Sequence, residues 1–327
     1  MALLPEFESK TASAIFAAYQ RQPRRRRPHL GASLIGKPCE RELWYTFRWC
    51  ADAQFEGRVL RLFETGQLEE SRVVNNLRAI GCTVHEVDEN TGRQFWYSDH
   101  GGHFSGSMDG VVLGIPEAEA TWHLLEIKTH NLKSFSELKR VGVQMGKPQH
   151  LAQMRVYMGW AELPRALYFA VCKDTDDIYT ERVPEAPAEF QFLRAKALRI
   201  ISAKSPDGVS KAADCTYCDF RSVCEGARLP LVHCRTCQYM QPITEGTGSR
   251  WLCDFDGHEV PYLLQERSCE NHLFIPALVT FGTLVEAGDG FNVYDHGVDT
   301  YFVNSTPPSF PACNGECFLS KDMERAR

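Results

Sequence analysis

The stretch WHLLEIKTH, residues 122 to 130, sets a carboxylate and an amine two residues apart, at Glu126 and Lys128, in a run that otherwise reads as a buried strand. Side chains alternate along a strand, so these two share one face while Leu125 and Ile127 take the other. Two opposite charges on one face are either a solvated edge or a site. Upstream, GGHFSGSMDGVVLG puts Asp109 just before an apolar run, at a strand edge that could face Glu126. ETGQLEESRVVNNL puts Glu69 and Glu70 on an expected helix. PQHLAQMRVYMGW carries Gln153 and Tyr157 at i and i+4, on one helical face. Four separate segments thus offer polar groups able to converge on one place.

Taken in order, Gly66-x3-Glu70, Asp109 before its strand, Glu126-x-Lys128 and Gln153-x3-Tyr157 resemble the PD-(D/E)xK nuclease superfamily. More narrowly they are similar to its RecB-type branch, which includes phage exonucleases. Each motif alone is a common surface pattern; the ordered set is specific. The resemblance implies a mixed central sheet flanked by helices and divalent-metal-dependent cleavage of DNA. Asp109, Glu126 and Glu70 would hold Mg²⁺ or Mn²⁺, with the Ile127 carbonyl facing the ion and Glu69 as the substitute for Glu70 if the helix phase differs by one. Lys128 would orient or deprotonate the attacking water or stabilise the developing phosphorane charge, and Gln153 and Tyr157 would touch DNA or brace the lysine. The same resemblance suggests exonuclease action on single-stranded DNA or duplex ends, in phage-type recombination or DNA processing. A recombinase or helicase partner and a homo-oligomer come with it.

Composition bounds these readings. The chain of 327 residues is 43% hydrophobic and 11% aromatic, enough for two or three folded units. Its formal charge is −6, yet the first fifty residues hold nine Lys/Arg against four Glu, so a local basic patch can meet a polyanion while the rest stays acidic. Arg24, Arg25, Arg26 and Arg27 form the densest part of that patch and are candidate contacts to the DNA backbone, with a solvated connector as the alternative. No stretch approaches the length of a membrane span and the first residues lack a signal-peptide pattern, so the expected location is the cytoplasm.

The elements that must position these residues follow from periodicity. Helical spacing appears at residues 11 to 20, 39 to 49, 58 to 80, 132 to 141, 149 to 160 and 187 to 204. Strand-like runs are CTVHEV, RQFWYS, GSMDGVVLG, TWHLLEIKT, RALYFAVC and DIYTERV. The class is α/β, organised as an N-terminal helix and basic segment over 1–30, a nuclease core over 31–228 and a cysteine-rich metal-binding module with a tail over 229–327. The last forty or so residues mix strand-like and turn-like pieces without a role.

Thirteen cysteines are many for a reducing compartment, and their clustering points to metal in place of disulfides. Cys39 stands far from Cys215, Cys218 and Cys224, a C-x2-C-x5-C run. Three clustered thiolates and one remote one suit a [4Fe–4S] cluster, the alternative being zinc held by the three with His233. The layout resembles the CRISPR-associated RecB-like exonucleases and AddB-type subunits, which implies a structural staple. Cys234, Cys237, Cys253 and Cys269 form C-x2-C-x15-C-x15-C, a spacing for structural Zn²⁺ with His272 as rival for the last position. Two readings from other classes compete with the nuclease. One is a catalytically silent DNA-binding accessory protein that keeps the metal clusters; the other is an iron–sulphur redox protein, against which no G-x-G-x-x-G loop is visible.

Overall fold

The computed structural model describes residues 9 to 297, 300 to 306 and 316 to 318. The chain opens with α1 (Lys10–Arg21), capped by the Ser9 hydroxyl, and passes through β1 (Leu30–Gly31) and α2 (Glu40–Phe47) to the long α3 (Gly57–Ala79). Five short strands follow: β2 (Thr83–His85), β3 (Val87–Asp88), β4 (Arg93–Gln94), β5 (Trp96–Asp99) and β6 (Phe104–Ser107). Next come β7 (Gly110–Leu113), β8 (His123–His130), α4 (Leu132–Gly146), α5 (Pro148–Ala161), β9 (Arg165–Cys172), β10 (Ile178–Pro184) and α6 (Pro187–Ser202).

The central sheet has the order β10-β9-β8-β7-β2; β8 and β9 run parallel and the other pairs antiparallel. The parallel pair requires a crossover, and α4 with α5 supplies it. Alternation along β8 divides the core. Leu125 and Ile127 pack with Val73, Val74 and Leu77 of α3, while Leu124 joins the larger core that includes Phe135, Leu138, Met154 and Val156 from α4 and α5. The expected run GSMDGVVLG is interrupted. β6 belongs to a second sheet, ordered β1-β6-β5, and the chain breaks at Met108 and Asp109 before entering the central sheet as β7.

After the short α7 (Arg221–Cys224) come β11 (Met240–Pro242), β12 (Trp251–Cys253) and β13 (His258–Glu259), an antiparallel sheet followed by α8 (Tyr262–Gln265). The closing segment, unassigned from sequence, is a meander of β14 (Thr283–Gly288), β15 (Phe291–Gly297) and β16 (Thr300–Ser305), with β17 (Glu316–Phe318) parallel to β16. Among the described residues no helix is long and apolar enough to cross a membrane.

The main hydrophobic core does not stop at residue 228: Cys237, Met240, Trp251, Ile275 and Leu278 share it with Leu30, Phe47 and Phe104. Two buried arginines fasten this seam. Arg235 donates to the carbonyls of Phe47 and Pro28 and to Gln265 Oε1, each at 2.9 Å, with its guanidinium 3.6 Å from the Trp49 ring centroid. Arg48 donates to the carbonyls of Met240 and Arg235 at 2.8 and 3.3 Å. Charged donors to carbonyls and flat aromatic faces are strong contacts for arginine in an interior.

Three fully buried histidines line the same seam. Burial lowers His103 and His233 to about 4 and His272 to about 3, so all three are neutral when folded. The unfolded chain takes up those protons below its ordinary histidine pKa of about 6.5, so stability is full above that value and falls as pH drops toward 4, at a limiting slope of about 4 kcal/mol per pH unit for the three together. Urea unfolding at pH 7.5 and 5.5 is expected to show a clear loss of midpoint at the lower pH, reduced when His272 is replaced by Asn.

Candidate active site

Where β7 ends its pairing with β8 at Gly110 opposite Leu125, the next amide along β8 on that side, Ile127 N, donates to Asp109 Oδ2 at 2.8 Å. The break before β7 is thus what turns Asp109 toward β8. Glu126 lies on the opposite face of β8 from Ile127, fully buried, and Lys128 Nζ forms an ion pair with Glu126 Oε1. The Lys128 ammonium is the partner of Oε1, and Glu126 Oε2 has no hydrogen-bond donor among the described residues. Lys128 Nζ donates at 3.2 Å to the Ile127 carbonyl.

From the other face, α3 brings Glu70 to the end of the strand, where it lines a cleft of about 350 Å³ with Gly66, Lys128, Thr129 and Lys173. Glu70 is pushed up to about 7 by burial and then by the Asp109 charge; Glu126 reaches about 7 by burial, with Asp109 adding to it and Lys128 opposing. Burial alone would lower Lys128, but Glu126, Asp109 and Glu70 outweigh it and hold the ammonium charged. Four groups from three segments therefore share one electrostatic field. Glu69 is turned away and pairs with Arg72 at 3.3 Å.

Gln153 and Tyr157 lie on α5 and are both buried, facing the Glu126 side of the sheet. Tyr157 is hydrogen-bonded to Gln153 and is raised by burial and then by Glu126 and Asp109. Its hydroxyl sits against Gly106 of β6, where any Cβ would overlap it.

Sequence reasoning missed the rest of this face. Tyr168 is the β9 partner of Glu126, and its hydroxyl is gripped by His130 Nε2 at 2.9 Å and His150 Nδ1 at 2.8 Å. His130 continues to Ser134 Oγ at 3.0 Å, which accepts from Lys147 Nζ at 2.8 Å. The signal was present in the periodicities: His130 follows Lys128 by two on the same strand face, and His150 precedes Gln153 by three on the same helix. Lys173, beyond the end of β9, carried no such signal.

The basic tract is divided. Arg26 is committed to Asp52 at 2.8 and 3.0 Å, and its carbonyl accepts from Tyr262 Oη at 2.5 Å. Arg24 lies 4.9 Å over the Phe55 ring. Arg27 is exposed and folded across Gly31, which has no Cβ to obstruct it, and its charge is felt at the Tyr157 hydroxyl together with those of Glu126 and Asp109. Arg25 is exposed and faces the Tyr262 side.

The cysteine sets gather from distant segments. Cys218 is raised by burial first and feels Cys39 and Cys215; Cys224 hydrogen-bonds the Tyr45 hydroxyl; Cys39 caps α2, accepting from Glu42 N at 3.4 Å. Burial pushes Cys234 up to about 11, with Cys269 and Cys253 adding to it, and Cys237 up to about 12, with Cys269 and Cys234 contributing. His272 Nε2 is engaged by the His233 carbonyl at 3.1 Å and by Thr236 Oγ1 at 3.3 Å. Among the described residues no group of three or more His, Cys, Asp or Glu side chains is arranged to hold a metal ion. Cys313 lies outside the described residues.

No known family's sequence pattern matches the chain, and no curated protein sequence matches it. Among solved structures, LHK-Exo, an alkaline exonuclease from Laribacter hongkongensis, is similar at a TM-score of 0.37 and 17% identity, over 57% of this chain and 90% of that one, in the complex with dAMP. The protein SSO0001 is similar at a TM-score of 0.40 and 13% identity, over 67% of this chain and 98% of that one.

The contact between Gly106 and the Tyr157 hydroxyl gives a direct test of the α5 face. Gly106→Ala is expected to lower the melting temperature by several degrees, and adding Tyr157→Phe is expected to restore part of the loss, because the pair is coupled through one oxygen. Thermal unfolding of the two single variants and the double variant measures that coupling.

Proposed function

We propose that this chain is a divalent-metal-dependent DNA exonuclease. The observation that carries the reading is the gathering of Glu70, Asp109 and Glu126 around Lys128 at one end of the central sheet, with Glu126 fully buried and its Oε2 without a hydrogen-bond donor among the described residues. A buried carboxylate without a donor costs free energy unless a cation partners it. Three carboxylates against one amine leave an excess of negative charge, and an all-oxygen donor set suits Mg²⁺ or Mn²⁺. Asp109, Glu126 and Glu70 would hold the ion, which when bound supplies charge neutralisation at the scissile phosphate.

The chain's own groups do the rest. Lys128, anchored on Glu126 and the Ile127 carbonyl, presents a fixed positive charge where the phosphorane develops. Tyr157 and Gln153 brace that face from α5. Arg27, like Arg24 and Arg25 without an acid partner among the described residues, lies nearest this face by its charge on the Tyr157 hydroxyl and would hold a backbone phosphate. The two cysteine sets are assigned as structural metal sites, [4Fe–4S] at Cys39, Cys215, Cys218 and Cys224 and Zn²⁺ at Cys234, Cys237, Cys253 and Cys269, supported by the approach of thiols from segments far apart in sequence.

End-labelled single- and double-stranded DNA incubated with the anaerobically purified protein and Mg²⁺ or Mn²⁺ is expected to shorten stepwise. Asp109→Ala and Lys128→Ala should each slow this by at least about a hundredfold, and Glu70→Ala far more than Glu69→Ala. Arg27→Ala should weaken DNA binding and lower its salt dependence by about one charge, whereas Arg26→Ala should act on stability. DNA bound and left intact under both metals would replace this reading with that of a binding protein. Iron and zinc analysis of the same preparation tests the cysteine assignments.

A further inference from the structure

A second cleft, of about 520 Å³, opens on the seam between the nuclease-like core and the C-terminal region and shares no lining residue with the first. Its wall includes Arg48, Lys204, Tyr239, Gln241, Met240 and Ile275. Arg48 is 1% exposed. Only its Nη1 is used, on the carbonyls of Met240 and Arg235; Nε is buried without a partner and Nη2 makes no hydrogen bond. The guanidinium is held in place by the Trp44 and Trp251 rings, at 5.6 and 5.0 Å from their centroids, and no carboxylate among the described residues pairs with it.

A buried donor left without a partner costs free energy, and more so on a charged group. The vacant Nε–Nη2 edge is the side of the guanidinium that grips two oxygens of one oxyanion at once. Lys204 adds an exposed cation to the cleft wall and makes no ion pair among the described residues. Its backbone is fixed by the preceding residue, whose carbonyl accepts from Trp44 Nε1 at 2.8 Å. Asp254, also exposed in the lining, is the one acid opposing these two cations. Gln241 offers an amide, while Tyr239, Met240 and Ile275 offer an aromatic and apolar wall, the mixture usual in small-molecule sites of this size.

We infer that this cleft is a binding site for a phosphate-bearing small molecule of about mononucleotide size, its phosphate on Arg48 and Lys204 and its body against Tyr239, Met240 and Ile275. The site is separate from the proposed nuclease centre, and its occupancy would join the C-terminal region to α2 and to the end of α6. The inference does not depend on DNA cleavage.

Calorimetric titration of the full chain in EDTA and low salt, with thymidine 5′-monophosphate, inorganic phosphate, thymidine and benzoate as probes, tests it. The monophosphate is expected to bind one to one, at least tenfold tighter than thymidine. Lys204→Glu, on an exposed residue, should weaken it tenfold or more, Gln241→Ala less, and Lys128→Ala not at all. Arg48→Gln should abolish binding; if that variant does not fold, the Lys204 and Gln241 variants carry the test. The inference is overturned if the wild type shows no saturable binding, or if thymidine or benzoate binds as tightly as the monophosphate. It also fails if Lys128→Ala removes the binding and Lys204→Glu does not.

Discussion

A carboxylate buried at the centre of a sheet, held by one lysine and with its second oxygen left without a donor among the described residues, is the constraint around which this molecule is arranged. Glu126 sits on β8, which has β9 parallel on one side and β7 antiparallel on the other, so backbone pairing leaves its side chain unrelieved and its relief must come from side chains that reach the strand end. Lys128 supplies one charge. Asp109 and Glu70 bring two more carboxylates to the same place, and both act on Glu126 in the direction that opposes its charge. Local conflict of this kind is where folding energy is given up for function.

The surrounding structure limits how far the conflict can relax. Ile127 and Leu125 are locked under α3, so β8 cannot rotate Glu126 outward without unpacking that core. On the other face, the Tyr168 hydroxyl joins His130 of β8 to His150 of α5, and Ser134 with Lys147 extends the chain of hydrogen bonds through α4. Both histidines are kept neutral by burial, His130 at about 4 and His150 at about 3, so the network adds no charge to the site. It ties the strand that carries Glu126 and Lys128 to the helix that carries Gln153 and Tyr157.

The C-terminal region is fastened by a different device. Arg235 and Arg48 reach backbone carbonyls across the seam and lie against Trp44, Trp49 and Trp251, so cations do there what apolar side chains do elsewhere in the core. This arrangement joins segments nearly two hundred residues apart and draws the basic tract into the same assembly, since Arg235 also holds the Pro28 carbonyl and Tyr262 the Arg26 carbonyl. Arg26 is thereby spent on structure while Arg27 makes no ion pair among the described residues, although the two are neighbours of one type.

The sequence by itself determined the mixed α/β class, the helix and strand identities around residues 58 to 202, and the sharing of a face by Glu126 and Lys128, because each follows from local periodicity. It also distinguished Asp109 as the residue before an apolar strand. Only the tertiary structure decided that the break at Met108 and Asp109 separates two sheets, that Glu70 and not Glu69 turns to the site, and that the Ile127 carbonyl serves Lys128. Helix phase and strand ends depend on packing against other segments and leave no local trace. The same holds for Arg27 against Arg26, for Tyr168 between two histidines, and for Arg48 at a seam. Each role is set by which distant partner a side chain meets, and residues of identical type carry identical sequence signals whatever partner the fold assigns them.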